Sequence, residues 1–248
     1  MVKRIIKTLH FFWRLWFAFV GFFGLVFFFP LLWVLLLNKK WYPAFHSVCR
    51  SWSKILLFCN GFIVDVEFEE ELDPQKAYLI CPNHVSYLDI PVIFAIIPSI
   101  FVFVGKKSLS KLPVFGWVYK KTMILVDRTS NKSSYQAYRH ASQRISQGVG
   151  ITIFPEGGIP EGEVKLQRFK NGAFRMAIEQ NVALVPVTFA DNKRCMPSDK
   201  LEGCAGKLKV FVHKPIEAGT YTTENIHEFR DFVYKIINDK LTYYESKR

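Results

Sequence analysis

The sequence predicts an α/β fold, a mostly parallel central sheet covered by helices, carried behind an N-terminal two-helix membrane anchor. Three observations lead to it. From Gly61 onward, short apolar runs alternate with stretches of helical periodicity, the pattern of strand–helix units in a parallel sheet. Before that point, 24 consecutive uncharged residues, Leu15 to Asn38, lie between Arg14 and Lys39. The residues able to do chemistry fall just after the apolar runs, where open sheets place their functional loops.

The first 60 residues divide from the rest by charge. They hold eight Lys or Arg and no Asp or Glu, whereas residues 61–248 hold 25 basic and 21 acidic residues. As a helix the uncharged stretch reaches about 36 Å, against a hydrocarbon core of about 30 Å. Five of the six Trp occur by residue 52, and indoles suit a membrane interface. Lys3, Arg4, Lys7, Arg14, Lys39 and Lys40 flank the stretch, where anionic lipid attracts them. Basic residues among aromatics also suit nucleic acid, but here they border a hydrocarbon-like segment. A bilayer is therefore the expected partner, and nucleic acid is not. With both flanks basic, charge gives no orientation, and Pro30 is a place for a kink into a re-entrant hairpin. A cleaved signal peptide is disfavoured, because the stretch is too long and no small-residue cleavage site follows.

Trp41 to Asn60 carries Phe45, Val48, Cys49, Trp52, Ile55 and Leu56 at helical spacing. This amphipathic helix either lies on the bilayer or returns the chain to the globular part. The expected organisation is a membrane-anchoring segment over 1–60 and one α/β domain over 61–248. Strands are expected at 62–68, 77–81, 100–104, 123–126, 150–154, 183–189 and 207–213. Helices are expected at 89–97, 132–147, 171–180 and 222–242. Pro186, inside a strand, implies an edge or bulged position. Cys49, Cys59, Cys81, Cys195 and Cys204 show no CxxC or Cys/His metal spacing. They read as free thiols in a reduced, cytosol-facing protein, each a small buried hydrophobe.

Asn83-His84-Val85-Ser86-Tyr87-Leu88-Asp89 follows the apolar run 77–81. Five residues of continuous helix advance about 140° at roughly 3.6 residues per turn, so the His84 and Asp89 side chains would diverge. They meet if the chain turns between them and then enters a helix, making a base and the carboxylate that orients it. The alternative is that Asp89 only caps the helix starting at Ile90; a carboxylate with two oxygens can do both. Further blocks follow other strands. Gly105-Lys106-Lys107, with Lys111, is an anion-binding loop or a solvated one. Val126-Asp127-Arg128 is a phosphate site or a local ion pair. Phe154-Pro155-Glu156-Gly157-Gly158 is a loop whose backbone N–H groups can approach a ligand, or a simple turn. Phe169-Lys170-Asn171-Gly172 and Val185-Pro186-Val187 complete the series.

In this order (NHxxxxD, a lysine loop ending PxxGW, VDR, FPEG, FKxG, VPV) the blocks resemble the glycerolipid acyltransferases of the phosphate acyltransferase family. The resemblance runs from about residue 61 to 215, with a similar two-helix anchor before it, and is strongest to members that acylate 1-acyl-glycerol-3-phosphate to phosphatidic acid. It implies the glycerolipid acyltransferase fold, with His84 as general base and Asp89 as its partner. It implies substrate binding by Asn83, Lys106, Arg128, Glu156, Gly157 and Gly158, with no metal and no cofactor. The acyl donor would be a thioester of acyl carrier protein or coenzyme A, the acceptor a lysophosphatidate, and the expected location a bacterial inner membrane with the site on its cytoplasmic side. Two positions depart from the family pattern. Ile159 stands where the family places, after FPEG and a Thr or Ser, an arginine that holds phosphate; Lys165 or Arg168 are candidates to replace it. Thr122 stands where the second motif often has Gly, at an expected strand start. The departure at Ile159 keeps other acceptors open, such as lyso-ornithine lipid or a lysophospholipid. A serine lipase is disfavoured for want of GxSxG. A lipid-binding protein without catalysis is the remaining alternative, opposed by the intact His84, Asp89 and Glu156.

Overall fold

The computed structural model describes residues 2–127, 129–160, 162 and 164–247. The chain starts with helices α1 (Val2–Leu35) and α2 (Tyr42–Cys59), then enters β1 (Phe62–Phe68) and β2 (Leu79–Pro82). Helix α3 (Asp89–Ile96) and β3 (Phe101–Lys106) follow, then a 3-10 turn (Lys107–Lys111), α4 (Phe115–Thr122) and β4 (Ile124–Val126). Next come α5 (Asn131–Ser146), β5 (Gly150–Thr152), α6 (Gly172–Glu179) and β6 (Leu184–Phe189). Helix α7 (Asn192–Cys195), β7 (Gly206–Val212) and α8 (Ile226–Ser246) close the fold.

The seven strands form one sheet in the order β1-β7-β6-β2-β5-β3-β4. β6, β2, β5, β3 and β4 run parallel, while β7 meets β6 antiparallel and β1 pairs parallel with β7. Alternation along each strand sorts side chains to two faces. Leu79, Cys81, Val102, Ile151 and Leu184 share a core with Phe174 of α6 and with Phe229, Val233 and Ile237 of α8. Ile80, Phe101, Phe103, Val185 and Val187 share the other with Leu57 of α2 and Val92 and Ile93 of α3. The i, i+4 stripe Phe229-Val233-Ile237-Leu241 seats α8 on the sheet, each large side chain contributing about 1.5–3 kcal/mol of burial. Such covering on both faces is what a parallel arrangement requires. Because the five parallel strands share one direction, the loops after β2, β3, β4, β5 and β6 emerge at the same edge.

Every expected strand is present within a few residues, and the fold class stands as mostly parallel α/β. Several expectations need correction. Residues 107–122 contain a 3-10 turn and α4, hidden in sequence because Pro113 and Gly116 punctuate an element only eight residues long. Thr122 therefore ends a helix, its hydroxyl donating to the Val118 carbonyl at 2.8 Å, and does not start a strand. Pro186 takes the bulged position, the second of the two expected for it, in an interior strand between β2 and β7. It is tolerated at a bulge: between the pairs Val187↔Val212 and Leu184↔Ile216, two residues of β6 oppose three of the facing chain. Cys81 and Cys195 are buried as expected, but Cys59 and Cys204 are exposed.

The N-terminal region consists of two helices, of which α1 alone has the length and apolarity to cross a membrane, over Ile5–Leu35. Pro30 does not reverse the chain; α1 continues through it to Leu35. Reversal comes at Asn38, whose side chain accepts from the Lys40 N–H at 3.0 Å to start a 3-10 turn. α1 then packs antiparallel on α2, with Leu32 beside Phe45, Gly24 against the Trp52 indole and the Trp16 N–H donating to the Cys59 carbonyl at 3.1 Å. α2 takes the second course open to it, returning to the body. The Arg50 guanidinium donates to the carbonyls of Ile97 and Pro98, both at 2.7 Å, and the His46 ring lies edge-on to Phe101.

Candidate active site

Beyond β2 the chain leaves the sheet, turns at Tyr87-Leu88 and enters α3 at Asp89. That turn brings the pair together, with His84 Nδ1 2.8 Å from Asp89 Oδ2. Asp89 is fully buried, whereas the His84 side chain remains 14 % exposed. The same Oδ2 accepts from the N–H groups of Val85 at 2.7 Å and Ser86 at 3.0 Å. These donors precede α3, and among the described residues no side chain caps the helix itself. Asp89 therefore braces the loop that carries the histidine, and the capping alternative falls away. Since Oδ2 can only accept when ionised, Nδ1 carries the proton and Nε2 keeps its lone pair. The imidazole is held from behind by the Phe154 ring, stacked at 3.8 Å between centroids and 17° between planes.

Two contacts here come from residues that sequence reasoning passed over. Asn192, at the start of α7, donates through Nδ2 to Asp89 Oδ1 at 2.8 Å. The Met196 carbonyl, just past α7, accepts from the Ser86 hydroxyl at 2.6 Å. α7 thus clamps the His84 loop from the end of β6. The available signal was positional: Asn192 closely follows the Val185-Pro186-Val187 strand, at the edge that collects the site.

Glu156 follows β5, whose neighbour in the sheet is β2. Its Oε1 accepts from the His84 N–H at 2.6 Å and its Oε2 from the Gln167 N–H at 2.8 Å. The side chain thus ties the FPEG turn to the histidine loop and to the segment after residue 164, and is 4 % exposed. Burial pushes its carboxyl up to about 7, partly offset by those two backbone donors and reinforced by nearby Asp89. Gly157 has φ +81, and a Cβ there would stand 2.8 Å from Lys170 Nζ. The positive φ favours glycine, and the contact lays the Lys170 side chain over the turn. Gly158 continues the same half-buried turn.

The other predicted residues are dispersed. Asn83 is fully buried; its Oδ1 accepts from the Phe189 N–H at 2.7 Å and its Nδ2 donates to the Phe189 carbonyl at 3.2 Å. It serves the strand ends instead of facing a ligand, contrary to the expected substrate contact. Lys106 ends β3 and is exposed, at the correct edge and one strand beyond β5. Arg128 lies outside the described residues. Its neighbour Asp127 accepts from the N–H and hydroxyl of Thr129, which lowers its carboxyl below the usual range. Lys165 is engaged elsewhere, donating to Thr242 and Glu245 of α8 at 3.0 and 2.7 Å. Arg168 is exposed. The cation that reaches the glycine turn is Lys170, which was not among the two candidates, Lys165 and Arg168, for the arginine missing at Ile159.

Comparison with known proteins agrees with this layout. A family profile described as Acyltransferase matches residues 63–190, just over half of the chain. A 1-acyl-sn-glycerol-3-phosphate acyltransferase from Haemophilus influenzae is 28 % identical over 201 residues, covering 80 % of this chain and 82 % of that one. The chloroplastic 1-acyl-sn-glycerol-3-phosphate acyltransferase LPAT1 of Arabidopsis thaliana is 28 % identical over 69 % of this chain. The chain spans about half the length of that relative, 48 %. The crystal structure of a 1-acyl-sn-glycerophosphate acyltransferase from Thermotoga maritima superposes with a TM-score of 0.81 at 21 % identity, covering 98 % of both chains. At that identity the likeness speaks to the fold. Since the profile's match includes the strands and loops carrying His84, Asp89 and Glu156, the chain belongs to the acyltransferase family.

Proposed function

We propose that this protein transfers an acyl group from a thioester to the sn-2 hydroxyl of 1-acyl-glycerol-3-phosphate, producing phosphatidic acid for phospholipid synthesis. The observation that carries the reading is the His84–Asp89 pair, a half-open imidazole with its inner nitrogen on a buried carboxylate. Nε2 takes the proton of the acceptor hydroxyl as the oxygen attacks the thioester carbonyl. Asp89 stabilises the imidazolium that forms. The tetrahedral oxyanion collapses, the thiol leaves, and His84 returns the proton to it. Acyl transfer of this kind needs neither a covalent enzyme intermediate nor a metal. Lys170, over the Gly157 turn, supplies a cation for the acceptor's phosphate, together with Lys106 at the same sheet edge.

The donor is a thioester of acyl carrier protein or of coenzyme A, both acidic carriers suited to a basic protein. Helix α1 supports attachment to a membrane. We assign the protein to a bacterial inner membrane with the site facing the cytoplasm, where free cysteines persist. A second reading keeps the chemistry and changes the acceptor to another lysolipid, such as lyso-ornithine lipid or a lysophospholipid. It is favoured by Ile159 and by the engagement of Lys165 with α8.

Purified protein assayed with both donors against a panel of lysolipids tests these readings. Lysophosphatidate is expected to be the preferred acceptor. Preference for an acceptor without a phosphate monoester would establish the second reading instead. Full acyl transfer by a folded His84→Ala variant would refute the catalytic assignment.

A further inference from the structure

Between Asp89 and Asp127 the chain has no acidic residue but carries Lys106, Lys107, Lys111, Lys120 and Lys121. Beyond β3 the last four of these are exposed on the 3-10 turn and α4. Set among them, Leu109, Leu112 and Val114 are also exposed, Leu112 by 50 %. Val114, a β-branched residue, sits at φ 58, a conformation folding alone does not favour.

Underneath, the segment is firmly built. The Ser110 hydroxyl donates to the Lys107 carbonyl at 2.7 Å, and a Cβ on Gly116 would lie 2.4 Å from the Ser110 carbonyl oxygen. It is also continuous with the apolar helix. The Trp117 ring meets Phe29 of α1 at 5.8 Å, and Val118 is buried with Leu32 and Phe45. Close to this junction α1 exposes Phe27, Leu31 and Trp33, and Lys39 and Lys40 follow it, also exposed. Water gains nothing from such a surface. Apolar residues ringed by cations match a headgroup layer that is anionic outside and hydrocarbon within.

We propose that residues 107–121 form a second bilayer contact, seating Leu109, Leu112 and Val114 among anionic phospholipids. The contact begins one residue past Lys106 and places the mouth of the site against the lipid. Its role in delivering the acceptor rests on the acyl-transfer reading; the contact itself does not.

The test uses the full chain in lipid nanodiscs of phosphatidylcholine, with and without phosphatidylglycerol, read by hydrogen exchange and mass spectrometry. Amides of residues 107–121 are expected to exchange about tenfold slower in the anionic discs at low salt, and to lose that protection at high salt. Equal exchange in both discs would overturn the proposal. Leu112→Asp and Lys111→Glu are expected to abolish the protection. They should also slow acyl transfer to a vesicle-borne acceptor about tenfold, while sparing a short-chain acceptor dissolved as monomers. Equal losses with both acceptors would place the segment in the chemistry and overturn its surface role. If the unaltered protein transfers no acyl group, the acyl-transfer reading fails, and lipid-dependent protection still upholds the contact.

Discussion

Asp89→Asn exchanges one oxygen for an amide and removes one charge, and the structure separates what this does to stability from what it does to rate. In Asp89, Oδ2 accepts from His84, Val85 and Ser86, and Oδ1 accepts from Asn192. An asparagine can keep its carbonyl at the first position, with its NH2 turned toward Asn192. That would set two donors face to face, but the Asn192 Oδ1 is buried without a partner among the described residues. Rotating the Asn192 amide presents this oxygen and restores the pair. The loss in stability is then the weakening of charge-assisted bonds to neutral ones, about 1–2 kcal/mol. The rate suffers more. With imidazolium and carboxylate charges about 4 Å apart, an effective dielectric of about 20 gives about 4 kcal/mol of stabilisation. At about 1.4 kcal/mol per decade, kcat for acyl transfer falls about 10³-fold. The assay is thioester-dependent acylation at saturating lysolipid, run beside thermal unfolding. A folded variant within about tenfold of the parent kcat would show that the Asp89 charge does not act through His84. Combining Asp89→Asn with Asn192→Ala removes the rescuing oxygen and should cost about 1–3 kcal/mol more than Asp89→Asn alone.

Three further outcomes are expected. Glu156→Gln leaves either the His84 or the Gln167 N–H without an acceptor, costing about 1–3 kcal/mol and about 10–100-fold in kcat/KM by displacing the histidine loop. The carboxyl is raised from 4.5 to about 7. Across that window the native chain holds a proton that the unfolded chain has released. Stability therefore falls as pH rises through it and levels above. In urea melts the parent's margin over Glu156→Gln should shrink from about pH 5 to about pH 7, and a constant margin would contradict the assignment. Lys170→Met should raise KM for a phosphate-bearing acceptor about tenfold with kcat little changed, as loss of a charge-assisted hydrogen bond predicts; an equal effect on a neutral acceptor would remove Lys170 from phosphate binding. Arg50→Met frees the carbonyls of Ile97 and Pro98 and should lower stability by about 1–3 kcal/mol in thermal or urea unfolding while leaving acyl transfer near the parent level.

What the sequence by itself determined is what neighbouring residues encode. Short apolar runs specified the strands and helical spacing specified the longer helices, because both patterns are local properties of the chain. The His84–Asp89 pair was legible for the same reason: the two residues lie five apart, and the turn that joins them lies between them. Glu156, 72 residues from His84, was legible as a candidate because it follows a strand, but its hold on the His84 and Gln167 amides was not. Tertiary structure decided the contacts that depend on strand order. β2 lies between β5 and β6, and that adjacency carries Glu156 to one side of the histidine loop and Asn192, 103 residues from Asp89, to the other. The same packing buried Asn83 against Phe189, drew Lys165 to α8 and laid Lys170 across Gly157. No period in the chain records such pairings, since they arise only when burial of both sheet faces selects one order of strands from many.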